Sequence, residues 1–425
     1  MRDVLMVDGC RTPFARSGTD LAHLTSYDLG RAAVAGLMNR SGLSPDVVDL
    51  LVMGTVIQDP ATSNLGREVA LGAGLPSSCP AYTVTMACVS SLQSALNAVR
   101  AIRCGDADVV IAAGAETLSD VPIRLSKRMR KKIMKARKVR GLRGYLDLLP
   151  DLRPSDLIPE QPAIAEFFTG ETMGENAERL AKRWDVSREE QDRYALRSHQ
   201  LAEQATEAGH LEKQMVTIYA QGGSGRVHRD TGVRGDTSAE KLAGLKPAFD
   251  RRSGTVTAGS SSYLTDGAAA VLLVGEDVAD EFGLRPTARI GESVVTAGDP
   301  RDELLLGPVF SVPRVLDSAG LDLDEVGVLE FHEAFAAQVL TVMRLLEDDE
   351  YLRSRLDREG GVGRVDPERL NLWGGSLSIG HPFGATGARL LMNCAARMEH
   401  ENAGIGLVTS CAAGALGTAV LMEAV

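Results

Sequence analysis

The chain has 425 residues, a formal net charge of -11, and is 44% hydrophobic and 24% charged. That length exceeds one ordinary core and predicts two or three domains, and the acidic balance argues against general nucleic-acid binding. No apolar run could span a bilayer, Met1-Arg-Asp-Val-Leu-Met enters a strand without a signal-peptide pattern, and the six cysteines contain no CxxC, so a cytoplasmic protein with reduced thiols is expected.

Val4 to Val7 reads as a strand before an Arg11-Thr-Pro-Phe turn, Tyr27 to Arg40 as a helix, Val48 to Val56 as a strand and Asn64 to Ala73 as a helix. Ala81-Tyr-Thr-Val84 is a short β-rich strand; behind it Leu92, Ala95, Leu96, Val99 and Ile102 recur at helical spacing. Asp108 to Ala113 is a continuous apolar strand running into Gly114-Ala-Glu-Thr. Strands alternating with helices, and apolar runs without period-two alternation, predict a mostly parallel sheet covered on both faces.

From Val121 the character changes. Arg124 to Arg143 holds eleven Lys or Arg and no acid, with Leu125, Met129, Ile133 and Ala136 able to share a helical face. Leu142, Tyr145, Leu146, Leu148 and Leu149 follow before Pro150. This basic amphipathic segment, 124–149, suits an anionic membrane surface; a solvated or subunit-contacting arm, or a patch facing an anionic ligand, are the competing readings. Thr172 opens another helical region. Ser187-Arg-Glu-Glu190 is a capping box starting a helix to Ala208, stopped by Gly209. Gln214 to Ala220 reads as strand and 221–240 as loop. Residues 121–250 thus form an inserted, loop-rich domain.

The Gly254–Ser262 turn and the Asp266–Val274 strand complete a first half made of 1–120 and 251–280. A second α/β pattern fills 281–425: strand Ala288–Ala297, helix Val309–Ala319, strand Val326–Phe331, a helix from Ala334, a polar stretch Glu347–Pro367, a helix to Met398, then strands from Ile405 and over Thr418–Met422. The halves echo each other in element order, so a duplicated fold is the economical reading.

Cys88 stands where the strand meets the helix. A helix start offers unpaired N–H groups and a positive dipole end, which favour the nucleophilic thiolate; a small packed cysteine is the competing reading. Three other stretches stand out: His332-Glu-Ala-Phe-Ala336, Gly380-His381-Pro-Phe-Gly-Ala-Thr-Gly387 and Cys411-Ala-Ala-Gly414. In this order the four resemble the thiolase family over nearly the whole chain. Within it, the HEAFA form and the basic insertion look most like the β-subunits of fatty-acid-oxidation trifunctional enzymes.

The resemblance implies an α/β fold of five layers, α-β-α-β-α, built from two βαβαβαββ halves with an inserted loop domain. It implies CoA-dependent thiolysis of a 3-ketoacyl-CoA to acetyl-CoA and a shortened acyl-CoA. Cys88 matches the acylated cysteine, His381 the base that takes its proton, and Cys411 the acid/base cysteine. His332, where many thiolases carry Asn, matches the residue that orients an oxyanion-binding water; Glu333 reads as a structural acid. The backbone N–H groups of Cys88 and Ala413 match a second oxyanion hole. Arg234, Ala258, Gly259, Ser262, Met173 and Phe335 match residues near CoA, although Thr172 replaces a frequent family histidine.

No P-loop, dinucleotide fingerprint or metal-spaced cluster occurs, so no metal and no cofactor beyond the CoA substrate is expected. By analogy a homodimer or dimer of dimers is expected, with a hydratase and hydroxyacyl-CoA dehydrogenase α-subunit as a further partner. Two other readings stay open: a biosynthetic acetoacetyl-CoA thiolase and a non-catalytic CoA-binding scaffold. A decarboxylating condensing enzyme would not need Cys411.

Overall fold

A computed structural model describes residues 2–146, 148, 150–159, 165–219, 225–358 and 360–425. Its strands are β1 Val4–Arg11, β2 Ala15–Arg16, β3 Leu50–Gly54, β4 Ala81–Val84, β5 Val109–Glu116, β6 Ile218–Tyr219, β7 Arg226–Val227, β8 Thr265–Gly275, β9 Ala288–Ala297, β10 Val328–Phe331, β11 Ile405–Ala412 and β12 Leu416–Glu423. The large sheet runs β10-β11-β12-β9-β1-β8-β5-β3-β4, with β2 beside β8.

Within that path lie two similar sub-sheets. In the first, β3 is parallel to β4 and β5, and β8 and β1 close it antiparallel. In the second, β10 and β11 are parallel, and β12 and β9 close it antiparallel. Only two residue pairs, Leu5↔Arg289 and Met6↔Ala288, join β1 to β9. The first half follows the expected βαβαβαββ order. The second departs from it: the counterpart of β4 is a single bridge, Leu329↔Leu370. Asn371 turns to φ +48° directly after Leu370, so pairing stops there.

Alternate side chains of the strands sort into three cores, because successive strand residues face opposite ways. Val110, Ala112, Val271 and Leu273 of the first sub-sheet and Val408, Val420 and Met422 of the second share a core with helices Ser90–Cys104 and Thr386–Glu401. Ile111, Ala113, Ala270 and Leu272 face outward to helices Ser26–Ser41 and Leu65–Gly72. Leu407, Ala419 and Leu421 face outward to helices Gly307–Ala319 and Ala336–Glu347. The result is the five-layer α-β-α-β-α arrangement. The apolar stripe Leu92, Ala95, Leu96, Val99 and Ile102 lies wholly in the middle layer.

Within 121–250, the helix Met173–Arg183 has a Thr172 capping box and Arg188–Glu207 a Ser187 one. Thr172 thus has a local role that accounts for it. Ala177, Leu180, Tyr194 and Ala195 join the outer core of the second half. The strand expected at Gln214–Ala220 reduces to Ile218–Tyr219: Glu212–Gln214 coils and Met215 bridges Arg11, so the chain is extended only briefly. Ala220 to Ser224 lie outside the described residues. The polar stretch 347–367 holds an unexpected helix, Asp349–Leu356, capped by Asp348. In the basic segment Lys127–Ala136 is a helix with no buried residue, and Ile133, Met134, Tyr145 and Leu146 are exposed. Leu149 and the side chain of Leu142 lie outside the described residues.

One charged pair sits inside the middle and second layers. Arg397 and Glu330, both 0% exposed, bond at 2.9 Å, and Arg397 also donates to the Leu329 and Arg369 carbonyls. Removing one partner strands a buried charge. Arg397→Met is expected to destabilise the protein by about 3–5 kcal/mol, read as a lower denaturation midpoint.

Candidate active site

Cys88 is presented by a sharp corner. Ala87 takes φ +46°, a left-handed conformation rare for a side-chain-bearing residue, between β4 and the next helix. Ser90 Oγ locks the corner, accepting from Met86 N at 2.9 Å and donating to the Ala87 carbonyl at 2.7 Å. The helix expected to start at Cys88 instead starts at Ser90, with Val89 in the cap position. The other three groups come from equivalent ends of the second half: His332 follows β10, His381 precedes helix Thr386–Glu401, and Cys411 is in β11.

These pieces converge. Cys88 Sγ and one ring nitrogen each of His332 and His381 all lie within 4.8 Å of one another. The two imidazole centroids are 4.1 Å apart. The Ala413 and Cys88 N–H groups both favour the Cys88 thiolate, so the two predicted oxyanion donors lie beside its sulfur. Cys411 is near enough for Cys88 to influence its ionisation. Soft divalent cations favour such Cys and His donors, and no local spacing in the sequence could announce this set.

Cys88 keeps part of its surface open, whereas His332, His381 and Cys411 are buried. Burial pushes the Cys88 thiol up to about 12 against two N–H groups that lower it, and the Glu116 carboxylate adds to the rise. Desolvation thus opposes the thiolate that the helix end was expected to favour. Burial, then Cys88, raises the Cys411 thiol as well. Burial and then the Arg389 guanidinium bring His381 down to about 3. Burial, then His381 and Arg389, hold His332 well below the usual range. Two neutral thiols and two neutral imidazoles result at neutral pH.

A shell of buried hydrogen bonds fixes them. The His381 backbone N–H donates to Thr265 Oγ1 at 3.0 Å, and the His332 backbone N–H to the Thr409 carbonyl at 2.9 Å. Glu333 accepts from Tyr194 Oη (3.0 Å), Ser198 Oγ (2.8 Å), Asn371 Nδ2 (2.7 Å) and Leu377 N (3.2 Å). It acts as a hub for the 371–378 loop, which fits its reading as a structural acid. Glu116, at the end of β5, accepts from Val56 N (3.0 Å), Ile57 N (2.9 Å) and Gly384 N (3.0 Å). Burial still lifts its carboxyl to about 7. Glu166, from the 121–250 region, accepts from Gly414 N at 2.7 Å, beside Cys411.

Phe335, matched to CoA, packs edge-on to Phe249, 6.0 Å between centroids, and Met173 borders the same apolar cluster. Ser262 N–H donates to the Ala334 carbonyl at 3.0 Å, Ala258 and Gly259 form a tight turn just before it, and Ser261 bridges Phe335. The Arg234 side chain is exposed and meets Asp236 at 3.5 Å, and its backbone N–H donates to His199 Nδ1. Sequence reasoning missed Glu116, Glu166, Ser376, Thr386 and Arg389. Thr386 and Arg389 lie in or beside the Gly380–Gly387 stretch, and Glu116 is an acid ending an apolar strand, which are usable signals; Glu166 had none.

The model of the thiolase N-terminal domain matches residues 4–277, and that of the C-terminal domain residues 284–424. The chain belongs to the thiolase family. This thiolase is 47% identical over 424 residues to the mitochondrial trifunctional enzyme subunit beta of Bos taurus, covering 100% of this chain and 89% of that protein. A Bacillus anthracis acetyl-CoA acetyltransferase superposes with TM-score 0.86 at 32% identity, covering 100% of this chain and 99% of that one. Human mitochondrial 3-ketoacyl-CoA thiolase in complex with CoA superposes with TM-score 0.85 at 29% identity, covering 100% and 98%.

In this thiolase Gly384 is wedged between the halves: a Cβ there would lie 2.7 Å from the Ala115 carbonyl oxygen and 2.8 Å from that of Gly54. Gly384→Ala must push the His381 loop away from the Cys88 half. Steady-state assays are expected to show kcat falling about 10²-fold, since ångström-scale misplacement of catalytic groups has that cost.

Proposed function

We propose that this thiolase is a degradative 3-ketoacyl-CoA thiolase, an acyltransferase of fatty-acid β-oxidation. The observation that carries the reading is the convergence of Cys88, His381, His332 and Cys411 with the N–H groups of Cys88 and Ala413. Cys88 Sγ adds to C3 of the 3-ketoacyl-CoA as its proton passes to His381, and the carbonyl electron pair moves to oxygen, which faces the Cys88 and Ala413 N–H groups. The C2–C3 bond then breaks. Its electron pair goes to C2, which takes the Cys411 proton and leaves as acetyl-CoA. The Cys411 thiolate next deprotonates incoming CoA, whose sulfur attacks the acyl-Cys88 carbonyl, held at the Cys88 and Ala413 N–H groups. The shortened acyl-CoA departs and His381 returns the proton to Cys88. A buried thiol with a raised pKa suits Cys411 as the acid. CoA is substrate; no cofactor enters these steps.

Phe335, Met173 and Ser262 suit pantetheine, and the exposed Arg234 suits a phosphate. The rival is a biosynthetic acetoacetyl-CoA thiolase, which has the same machinery; the 47% identity to a trifunctional subunit beta favours the longer-chain reading. A scaffold would not need this set of four. Thiolysis across C4 to C16 substrates tests it. Activity peaking at medium or long chains, and lost in Cys88→Ala and Cys411→Ala, is expected; cleavage of acetoacetyl-CoA alone would move the enzyme to the biosynthetic class.

The same reading includes a cytoplasmic homodimer or dimer of dimers and an α-subunit carrying hydratase and dehydrogenase activities. The helix Lys127–Ala136 and exposed Ile133, Met134, Tyr145 and Leu146 suit peripheral contact with an anionic bilayer. Wild type is expected to co-sediment with phosphatidylserine vesicles and to be released by salt. Neutralising the eleven basic residues should abolish this, and unchanged sedimentation would remove the membrane role.

A further inference from the structure

The two active-site histidines are chemically alike, equally buried and face each other, yet their partners differ in a way that decides where each proton sits. Nε2 of His332 and Nε2 of His381 are both buried and have no partner among the described residues. Each Nδ1 meets a hydroxyl: Thr386 Oγ1 lies 2.7 Å from that of His381, and Ser376 Oγ 3.0 Å from that of His332. A hydroxyl has one proton to give and two lone pairs to accept with.

Thr386 Oγ1 has a carbonyl to give its proton to, that of Pro382 at 3.1 Å. Toward His381 it is therefore an acceptor, which places the proton on Nδ1 and leaves Nε2 bare. Ser376 is in the reverse situation. Its oxygen receives Arg389 Nη2 at 3.4 Å, and a guanidinium only donates. Among the described residues the serine proton has no other acceptor than His332 Nδ1. Nδ1 of His332 is then the acceptor, and the ring proton sits on Nε2.

We propose that Thr386 and Ser376, the latter backed by Arg389, are positioning residues that hold His381 and His332 in opposite neutral tautomers. His381 presents a lone pair and His332 an N–H on the edges left free for the reaction. One ring can only accept a proton there and the other can only donate a hydrogen bond. Resting on the thiolase reading, the pair divides the work of the first half-reaction. The Cys88 proton goes to His381 Nε2 as the S–C bond forms, and His332 Nε2–H, directly or through one water, meets the acetyl-CoA thioester oxygen that gains charge as the C2–C3 bond breaks. If the tautomers were exchanged, His381 would face the thiol with a proton it cannot give up and His332 would offer a lone pair to a developing anion.

The test is long-range 1H–15N correlation on the full-length protein labelled with 15N-histidine, at neutral pH and without substrate, with signals assigned through His332→Asn and His381→Asn. His381 is expected to show a protonated Nδ1 and an unprotonated Nε2, and His332 the opposite pattern. Thr386→Val should convert His381 to the Nε2–H form and lower kcat by about 10²-fold or more, with KM for CoA little changed, while Thr386→Ser restores both readouts. The same tautomer on both rings of the wild type overturns the proposal, as does an unchanged His381 spectrum in a folded Thr386→Val protein. Should that variant not fold, the wild-type spectrum decides alone. Because the spectrum needs no turnover, failure of the thiolysis assay would sink the functional reading and leave the tautomer assignment standing.

Discussion

The active site exists only because two half-molecules are locked at the ends of their sheets, and the Glu116 carboxylate is the bolt. It takes N–H bonds from Val56 and Ile57 after β3 and from Gly384 of the other half. Beside it two glycines let the halves approach closely: a Cβ on Gly114 would fall 1.9 Å from the Gly384 carbonyl oxygen, and one on Gly384 2.7 Å from the Ala115 carbonyl oxygen. Cys88 belongs to one half and His332, His381 and Cys411 to the other. Their meeting within a few ångströms is a consequence of this contact, not of any local motif.

The lock also sets the site's electrostatics. Burial of His332, His381 and Cys411 removes solvation that would stabilise a thiolate or an imidazolium. Cys88 and Cys411 rise and both histidines fall for this single reason, with nearby charges as secondary causes. Charge therefore develops only as bonds change, and it develops where donors already wait: the Cys88 and Ala413 N–H groups on one side, the paired imidazoles on the other. A preformed thiolate would be more reactive in isolation but would have to be desolvated first. A neutral thiol beside a neutral base defers that cost to a step in which the developing charge is met by fixed dipoles.

How much of this was legible depends on the range over which each feature is encoded. The stripe Leu92–Ile102 reads as a helix because amphipathic spacing is local, and the strand Ala81–Val84 coincides with β4 for the same reason. Cys88, His381 and Cys411 were legible through the order of their motifs. The thiol's ionisation was not, since burial is a property of the assembled layers; nor was the start of the helix, which the αL turn at Ala87 delays. The strand expected at Gln214–Ala220 is cut short to Ile218–Tyr219 because Glu212–Gln214 coils, and the helix Asp349–Leu356 was hidden by a polar face.

Duplication explains why the chemistry is arranged as it is. β4 leads through a corner into helix Ser90–Cys104; in the second half the Leu329↔Leu370 bridge leads through a corner into helix Thr386–Glu401. The first corner carries Cys88 and the second His381, so nucleophile and base occupy equivalent points of the two repeats. The strands that follow end equivalently too: β5 in the acid Glu116 and β11 in Cys411 and its turn. One repeat ends this strand in an acid that ties the halves together, the other in a buried cysteine beside the site. The corners differ in what they carry, and His332 and His381 differ in the hydroxyl each Nδ1 meets.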